Sequence, residues 1–440
     1  MIRAFKIADV RAADATLLAA GERLMERAAY GLANRVLRDL RKAGQRIPGS
    51  TVLALVGSGN NGGDALFAGG YLSRRGLQVV AIISDDVHQS ALDFAVRSGV
   101  RIFRNPSSEQ IEKLAIDAGI WLDGIFGIGA KGAVRGEYAN WLSLLVQLKL
   151  TFPEEPKVYA VDLPSGVNAD TGEISEPVLS ANVTVTMGCA KPGLFLDPAA
   201  AIVGEVEIID LGYERVLPQD PSLEVFENSD FLDYWFVPQR DEHKYSRGVL
   251  GLFAGSADFP GAAVLAAKAA ANTGLGMLQY YGEAHREVLA QVPEAVIKAE
   301  TQELIADSDF LASAKFTALV FGPGYPVLDP KSHADCAELT LCKELLKNHL
   351  LRSENTEEAR VLPVILDGGA MPWILDPELR NFAQNAGVLL ILTPHRGELI
   401  RLCQLLELSE NSAEALARET GCVVVDKGNT TTIVTPEGVR

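Results

Sequence analysis

Apolar residues along this chain of 440 residues fall into short continuous runs, which alternate with longer stretches that have the spacing of helices. Residues 7–43 repeat apolar side chains every three to four positions, which predicts a helix. Residues 51–56 form a continuous apolar run, which is typical of a strand buried on both faces. A glycine-rich turn over 57–63 and a second helical stretch, 64–75, follow. Further strands are predicted at 78–83, 120–123, 158–162, 248–253, 318–321, 361–366, 388–392, 422–425 and 430–434.

This alternation of strands and helices predicts parallel sheets covered on both faces, and so an α/β fold class. Residues 213–240 interrupt the alternation with prolines, acidic residues and aromatic residues. We therefore predict a Rossmann-like three-layer αβα domain over 1–215, a linker over 216–240 and a second α/β domain over 241–440.

The composition limits the classes of partner. The formal net charge is −17, which argues against a nucleic acid or an anionic membrane as partner. No run of apolar residues reaches the length of a membrane helix, and the first residues lack the pattern of a signal peptide. The five cysteines are scattered, without a C-x-x-C pair. We expect a cytoplasmic protein that binds a small molecule, and a homo-oligomer remains compatible with the sequence.

Polar clusters follow three predicted strands of the first domain directly, at 57–64, 123–132 and 162–168. Ligands of parallel α/β sheets bind beyond the carboxyl ends of the strands. The segment from Asn60 to Asp64 opens a helix, where backbone N–H groups and the helix dipole favour an anion, although two glycines alone are equally typical of a structural turn. Asp123 and Asp162 each end a strand, which suits acid/base chemistry or a hard cation.

The order of these motifs resembles the NAD(P)H-hydrate epimerase domain over about residues 5–213. Met25 to Ala29 and Lys191 to Leu194 flank the motifs as in that family, whereas Ala65 stands where the family commonly has glycine. The resemblance implies epimerisation of hydrated NADH or NADPH, here written NAD(P)HX. It assigns a potassium ion to Asn61, Asp123 and Ser165, and we predict Asp123 as the acid/base residue. The implied substrate contacts are Asn60, Asn61, Gly62, Gly63, Asp64, Gly127, Ile128, Gly129, Ala130, Lys131, Gly132, Ala133, Tyr138 and Asp162.

The second half resembles the ribokinase-like NAD(P)H-hydrate dehydratase domain over about residues 225–440. Its motifs are His243-Lys244, Gly322-Pro323-Gly324 and Thr393-Pro394-His395 with Gly397-Glu398. The resemblance implies loss of water from (S)-NAD(P)HX, dependent on ADP with Mg2+. The implied contacts are Ala262, Gly324 and His395 for the hydrate, and Lys427, Gly428, Asn429 and Thr430 for ADP.

Two departures bear on the dehydratase half. Asp367 lacks the second aspartate that the family usually carries two positions later. The family also continues from the Lys427 segment to a Gly-Thr-Gly-Asp helix start, which the 440 residues do not contain, so the C-terminal helices of a ribokinase-like domain would be missing. We therefore expect this half to be impaired. Two alternatives stay open: a ribokinase-like small-molecule kinase, and a non-catalytic dinucleotide-binding or scaffold protein.

Overall fold

The computed structural model describes residues 1–129, 133–235, 237, 239–298, 315–326, 340–347 and 362–439. The chain divides into two compact units, Met1–Val225 and Phe226–Arg440. Among the predicted site residues, Ala130, Lys131 and Gly132 lie outside the described residues. None of the helices in the described ranges is both long and apolar enough to cross a bilayer.

The first unit is built on a seven-stranded parallel sheet with the order β4-β3-β2-β5-β6-β7-β8. Its strands are β2 (Thr51–Val56), β3 (Gln78–Ile83), β4 (Arg101–Arg104), β5 (Ile120–Gly124), β6 (Lys157–Val161), β7 (Val183–Met187) and β8 (Glu205–Ile209). A two-stranded antiparallel pair joins β1 (Ile2–Ala4) to β9 (Leu223–Val225), so part of the segment predicted as a linker forms a strand of the first unit.

Six α-helices accompany these strands in the described part of the first unit. They are α1 (Ile7–Ala19), α2 (Leu24–Lys42), α3 (Asn60–Arg74), α4 (Gln89–Arg97), α5 (Ser108–Ile116) and α6 (Gly136–Lys149). The single helix predicted over 7–43 is wrong, because Gly21 adopts a φ of 85° and ends the first helix early. Helix α3 begins at Asn60 rather than at 64, so the first polar cluster forms its first turn.

Side chains of β2 alternate between two hydrophobic cores, one on each face of the sheet. Val52, Ala54 and Val56 belong to the core that contains helices α2 and α3. Leu53 and Leu55 belong to the other core, with residues of α5 and α6. Burial on both faces explains why β2 is continuously apolar. The predicted three-layer αβα arrangement is confirmed.

The second unit contains a nine-stranded sheet with the order β12-β11-β10-β13-β14-β15-β16-β17-β18. Its strands are β10 (Val249–Phe253), β11 (Met277–Tyr281), β12 (Val296–Ile297), β13 (Ala318–Phe321), β14 (Leu362–Leu366), β15 (Val388–Leu392), β16 (Val423–Asp426), β17 (Thr432–Thr435) and β18 (Gly438–Val439). Pairing is parallel from β12 to β16 and antiparallel for the last two strands.

The described helices of the second unit are α7 (Phe231–Tyr234), α8 (Pro260–Ala271), α9 (His285–Gln291), α10 (340–347), α11 (Pro377–Asn385), α12 (Arg396–Leu405) and α13 (Ala413–Thr420). In each unit the next strands in the sequence add to one side of the first long strand, and the later strands add to its other side. The strand order therefore reverses between β2 and β5 in the first unit, and between β10 and β13 in the second. Such reversals open the crevices in which α/β proteins bind ligands.

Candidate active site

The three polar clusters of the first unit meet at the carboxyl edge of its sheet. Asn60 to Asp64 form the first turn of α3, directly after β2 and Gly57 to Gly59. Asp123 lies within β5, and Asp162 is the first residue after β6. Since β2, β5 and β6 are consecutive in the sheet, these residues border the crevice where the strand order reverses.

Two buried polar atoms of α3 have no hydrogen-bond partner among the described residues: Asn61 Nδ2 and Asp64 Oδ1. Asn61 is only 7% exposed and Asp64 only 9%. A buried polar group without a partner costs about 1–3 kcal/mol, so it is retained where a ligand supplies the partner. Burial, and then the charges of Asp162 and Asp14, raise the pKa of Asp64 well above its usual range.

Glycines allow the backbone segments around this crevice to approach one another closely. A Cβ at Gly62 would lie 1.9 Å from the Gly57 carbonyl oxygen. A Cβ at Gly127 would lie 3.0 Å from Asn61 Oδ1 and 3.2 Å from Asp162 Oδ2, so Gly127 closes over both side chains. Side chains at these positions would displace the polar groups from the edge of the sheet.

Ala65 departs from the glycine that the family resemblance led us to expect, and the structure shows how it fits. Ala65 Cβ faces Gly124, where a Cβ would lie at 2.5 Å. The methyl group of Ala65 therefore occupies space that the neighbouring strand leaves open, and the backbone of α3 packs closely against β5.

Asp123 is fully buried and its carboxylate accepts several hydrogen bonds. The Ser165 hydroxyl donates to Oδ1 at 2.6 Å, and the Ser165 N–H donates to Oδ2 at 2.8 Å. The N–H of Ile125 donates to Oδ1 at a longer 3.4 Å. Burial raises the pKa of Asp123, although these hydrogen bonds oppose the shift. Asp123 therefore ties the loop after β6 to the loop after β5.

Asp162 presents one carboxylate oxygen to the crevice. Its backbone adopts a φ of 66°, a conformation that is uncommon for residues other than glycine and that often marks functional sites. Oδ1 accepts hydrogen bonds from Lys191 Nζ at 2.5 Å, from Thr186 Oγ1 at 3.1 Å and from the Met187 N–H at 3.1 Å. Oδ2 accepts none from the described residues and faces Gly127.

Tyr138 lies on α6 and contacts the loops after β3 and β5. Its hydroxyl is 2.6 Å from Ser84 Oγ, which follows β3, and its ring makes edge contacts with Phe126 and Trp141. Of the predicted loop contacts, the Ile128 carbonyl accepts a hydrogen bond from Arg11, and Gly129 and Ala133 border residues 130–132, which lie outside the described residues.

Two further groups near this site were not predicted as site residues from the sequence. Lys191 is only 1% exposed and also donates to Thr186 Oγ1 and to the Met187 carbonyl. The hydroxyl of Tyr213 donates to Asp14 Oδ1, and burial raises the pKa of Asp14. The motif Lys191-Pro192-Gly193 could have indicated a role for this lysine. No sequence feature indicates that Asp14 pairs with Tyr213.

In the second unit, two of the predicted hydrate contacts touch each other. A Cβ at Gly324 would lie 2.8 Å from Ala262 Cβ and 2.8 Å from the Phe259 carbonyl oxygen. The Ser256 hydroxyl donates to the Gly324 carbonyl at 2.7 Å, so the loops after β10 and β13 are joined. This contact borders the crevice between these two strands.

His395 caps helix α12, after β15. Its Nδ1 accepts hydrogen bonds from the N–H groups of Gly397 and Glu398, at 3.0 and 3.4 Å, while the Glu398 carboxylate accepts from the His395 N–H. A cavity of about 280 Å³ opens beside it, with Met371, Leu402 and Arg401 among its lining residues.

Lys427 begins the turn between β16 and β17, which also contains Gly428, Asn429 and Thr430. Its Nζ lies 2.9 Å from Asp367 Oδ1, which also accepts a hydrogen bond from the Thr393 hydroxyl at 2.6 Å. A bridge between His395 and Lys427 brings the predicted hydrate contact and the predicted ADP segment to neighbouring strand ends.

Comparisons with known proteins match each unit to a protein family. Residues 21–193 match the family described as YjeF-related protein N-terminus, and residues 250–439 match the NAD(P)H-hydrate dehydratase family. The combination defines a chain made of an epimerase-type and a dehydratase-type domain.

One relative matches almost the whole chain, and another matches about its first half. The bifunctional NAD(P)H-hydrate repair enzyme Nnr of Mycobacterium tuberculosis is 33% identical over 440 residues, which cover 99% of this chain and 82% of that protein. The NAD(P)H-hydrate epimerase of Clavibacter sepedonicus is 43% identical over 48% of this chain and 90% of its own length. The chain belongs to the family of bifunctional NAD(P)H-hydrate repair enzymes.

Among solved structures, an ADP/ATP-dependent NAD(P)H-hydrate dehydratase from Bacillus subtilis, co-crystallised with ATP and Mg2+, aligns with 46% of this chain and 65% of its own chain. The two are 27% identical, with a TM-score of 0.35.

Proposed function

We propose that the chain repairs hydrated nicotinamide dinucleotides, and that its first unit interconverts (R)- and (S)-NAD(P)HX. The observation that carries this proposal is the set of buried polar groups at the carboxyl edge of the first sheet. Asn61 Nδ2 and Asp64 Oδ1 have no partner among the described residues, and Asp162 Oδ2 faces the same crevice. Family membership supports the same substrate.

Inversion at C6 requires proton transfer, because C6 carries a hydroxyl group and the ring nitrogen. Breaking one of these bonds and re-forming it on the other face needs a proton given and a proton taken. We assign this transfer to Asp162, in place of Asp123, which we predicted from the sequence. Asp162 keeps an oxygen free of the described residues, whereas both oxygens of Asp123 accept hydrogen bonds inside the protein.

Asp64 complements Asp162 in this assignment. Burial holds the pKa of Asp64 well above its usual range, so Asp64 can keep a proton where an exposed aspartate would lose it. Lys191 stays bonded to Asp162 Oδ1 and orients the other oxygen. Two carboxyl groups in different surroundings can then act as donor and acceptor.

A potassium ion fits the oxygen atoms of Asn61, Asp123 and Ser165, which lie in the first turn of α3, in β5 and in the segment after β6. Amide, carboxylate and hydroxyl oxygens are the donors that hard cations prefer. A bound cation would favour the ionised form of Asp123, whose burial otherwise opposes ionisation. Its contribution would be to fix the loops that border the crevice.

For the second unit we propose ADP-dependent dehydration of (S)-NAD(P)HX. Ala262, Gly324 and His395 would contact the hydrate. Lys427 to Thr430 would bind ADP, with Asp367 nearby as a carboxylate suited to Mg2+. We also propose a cytoplasmic location and two domains close to the predicted bounds 1–215 and 241–440, with Leu223–Val225 belonging to the first domain.

The test incubates the purified chain with (R)-NADHX and follows the two epimers by chromatography. We expect the (S) form to appear faster than in the reaction without protein. A rate equal to the spontaneous rate would contradict the epimerase assignment. Adding ADP and Mg2+ to (S)-NADHX tests the second unit. Formation of NADH would support the proposed dehydration and overturn the expectation from the sequence that this half is impaired, whereas its absence would contradict the proposal.

A further inference from the structure

The proposed reaction leaves one pair of residues near the first site without a role, that of Asp14 and Tyr213. Asp14 lies on α1, and Tyr213 follows β8 in the short helical turn Tyr213–Arg215. The Tyr213 hydroxyl donates a hydrogen bond to Asp14 Oδ1. Tyr213 is only 3% exposed, and a buried tyrosine hydroxyl usually has such a partner. The hydrogen bond therefore fixes a buried aromatic ring at this edge of the sheet.

The ring of Tyr213 packs against the turn that follows β7. A Cβ at Gly188 would lie 2.4 Å from the nearest ring atoms of Tyr213, so glycine at this position lets the ring lie directly on the backbone. The Gly188 N–H donates to the Ile209 carbonyl at 2.9 Å, which ties the turn to the end of β8. A displaced ring would therefore leave the backbone of this turn without its support.

The same turn supplies hydrogen bonds that orient Asp162. The Met187 N–H, directly before Gly188, donates to Asp162 Oδ1 at 3.1 Å. The Met187 carbonyl accepts a hydrogen bond from Lys191 Nζ at 2.9 Å, and Lys191 Nζ also donates to Asp162 Oδ1 at 2.5 Å. Tyr213 is thus linked to the carboxylate of Asp162 through the backbone of two consecutive residues.

Helix α1 carries Asp14 and is attached to the same region by hydrogen bonds that do not involve the Asp14 side chain. The Phe5 N–H, just before α1, donates to the Ala190 carbonyl at 3.0 Å. The Ile7 N–H, in its first turn, donates to Asp170 Oδ1 at 2.7 Å. Ala190 directly precedes the lysine of the buried ion pair. The backbone of α1 is therefore a fixed support from which Asp14 can hold the ring.

We propose that Asp14 and Tyr213 form a positioning pair for epimerisation: Asp14 fixes the Tyr213 ring, and the ring supports the turn that orients Asp162. This inference rests on the proposed epimerase function. A catalytic group has to be held within about 0.5 Å of its productive position, so a support of this kind affects turnover. Because the pair acts through the turn and not on the substrate, its loss should lower kcat and leave KM unchanged.

The experiment measures kcat and KM for epimerisation of (R)-NADHX by the purified chain and its variants. Tyr213→Phe keeps the ring on Gly188 and removes only the hydroxyl. We expect kcat to fall about tenfold, since a misplacement of about 1 Å can cost about 10²-fold. Asp14→Ala should have the same effect. Asp14→Asn keeps an oxygen that accepts from the tyrosine hydroxyl and should retain most of the wild-type kcat.

The double variant Asp14→Ala/Tyr213→Phe tests whether the two residues act as one link. If both act through their shared hydrogen bond, the kcat of the double variant should equal that of either single variant. Two independent contributions would instead multiply to a loss of about a hundredfold, which would overturn the inference.

Tyr159→Phe is the matched control. Tyr159 is also buried, and its hydroxyl donates to a carboxylate oxygen, Asp39 Oδ2, at 2.8 Å. Lys157, the first residue of β6, bonds the same oxygen, so this pair lies towards the opposite end of the strand from the site. Tyr159→Phe should lower the melting temperature and leave kcat unchanged.

Two results would overturn the inference while the epimerase function stands. One is an unchanged kcat in Tyr213→Phe, and the other is an equal loss of kcat in Tyr159→Phe, which would indicate a general effect of stability. Only a wild type without activity on (R)-NADHX would refute the epimerase function itself.

Discussion

The two units place their candidate sites at equivalent positions but differ in how the polar groups are paired. In the first unit, Asp162 and Lys191 are buried together, and Asn61 and Asp64 keep atoms without partners among the described residues. In the second unit, Lys427 is 45% exposed and pairs with Asp367. The first site therefore has buried polar atoms without partners, to which a ligand can supply hydrogen bonds. In the second site a ligand that binds Lys427 must replace its ion pair with Asp367.

The largest expected difference concerns the two lysines. Lys191→Met should destabilise the first unit by about 3–5 kcal/mol, because it leaves the Asp162 carboxylate buried without its cation. Lys427→Met should cost the second unit about 1 kcal/mol or less, because its ion pair is exposed. Hydrogen exchange followed by mass spectrometry reports the two units separately. The double variant Lys191→Met/Asp162→Asn is the control and should recover part of the loss. Equal losses for both lysines would refute the contrast.

The next difference is the pH dependence of two aspartates, one in each unit. Because the pKa of Asp64 is raised, its contribution to stability is present below the usual carboxyl range and is lost as the pH rises through the raised pKa. Burial opposes ionisation of Asp376, but Lys343 and Lys347 outweigh it and lower its pKa to about 2, so its contribution is present at neutral pH and lost as the pH falls towards 2.

Asp64→Asn should therefore stabilise the first unit at neutral pH, and more than at acid pH, because the buried amide needs no proton whereas burial raises the pKa of Asp64. Asp376→Asn should destabilise the second unit under the same conditions, since it removes the carboxylate that pairs with Lys343 and Lys347 while the amide can still cap the helix. Hydrogen exchange at several pH values measures whether each variant stabilises or destabilises its unit. A destabilised Asp64→Asn at neutral pH would show that its carboxylate has a partner in the free protein.

The smallest expected effect is that of potassium. Replacing choline by potassium should stabilise the first unit by about 1 kcal/mol at a concentration about five times the dissociation constant, and should leave the second unit unchanged. Asp123→Asn should abolish the difference. An equal effect on both units would indicate general ionic strength rather than a bound ion.

The regular parts of both sheets could be predicted from the sequence because burial on both faces leaves continuous apolar runs. The predicted strands 51–56, 78–83, 318–321 and 388–392 have the observed bounds. The short strands β1 and β9 were not predicted, since they depend on pairing between residues more than 200 positions apart. The break at Gly21 was also missed, because the apolar spacing continues on both sides of it.

The position of the first site was predictable, since polar residues directly after parallel strands meet at one edge. Which aspartate of this site transfers the proton could not be predicted from the sequence. The hydrogen bonds of Asp123 come from Ser165, 42 positions later in the sequence, and Asp162 is bonded by Lys191, 29 positions later. These contacts decide which carboxylate has an oxygen without a partner among the described residues. Burial of Lys191 likewise follows from tertiary packing, because lysine is ordinarily exposed.

The central claim is that Asp162 moves the proton during epimerisation, and the kinetics of Asp162→Asn test it most directly. With (R)-NADHX as substrate, we predict that kcat falls by about 10²–10⁴-fold with little change in KM, as for loss of an acid/base group. Asp123→Asn, which removes a proposed potassium ligand and not the proton-transfer group, should keep measurable turnover. Full activity of folded Asp162→Asn, together with loss of kcat only in Asp123→Asn, would contradict the account and return the role to Asp123.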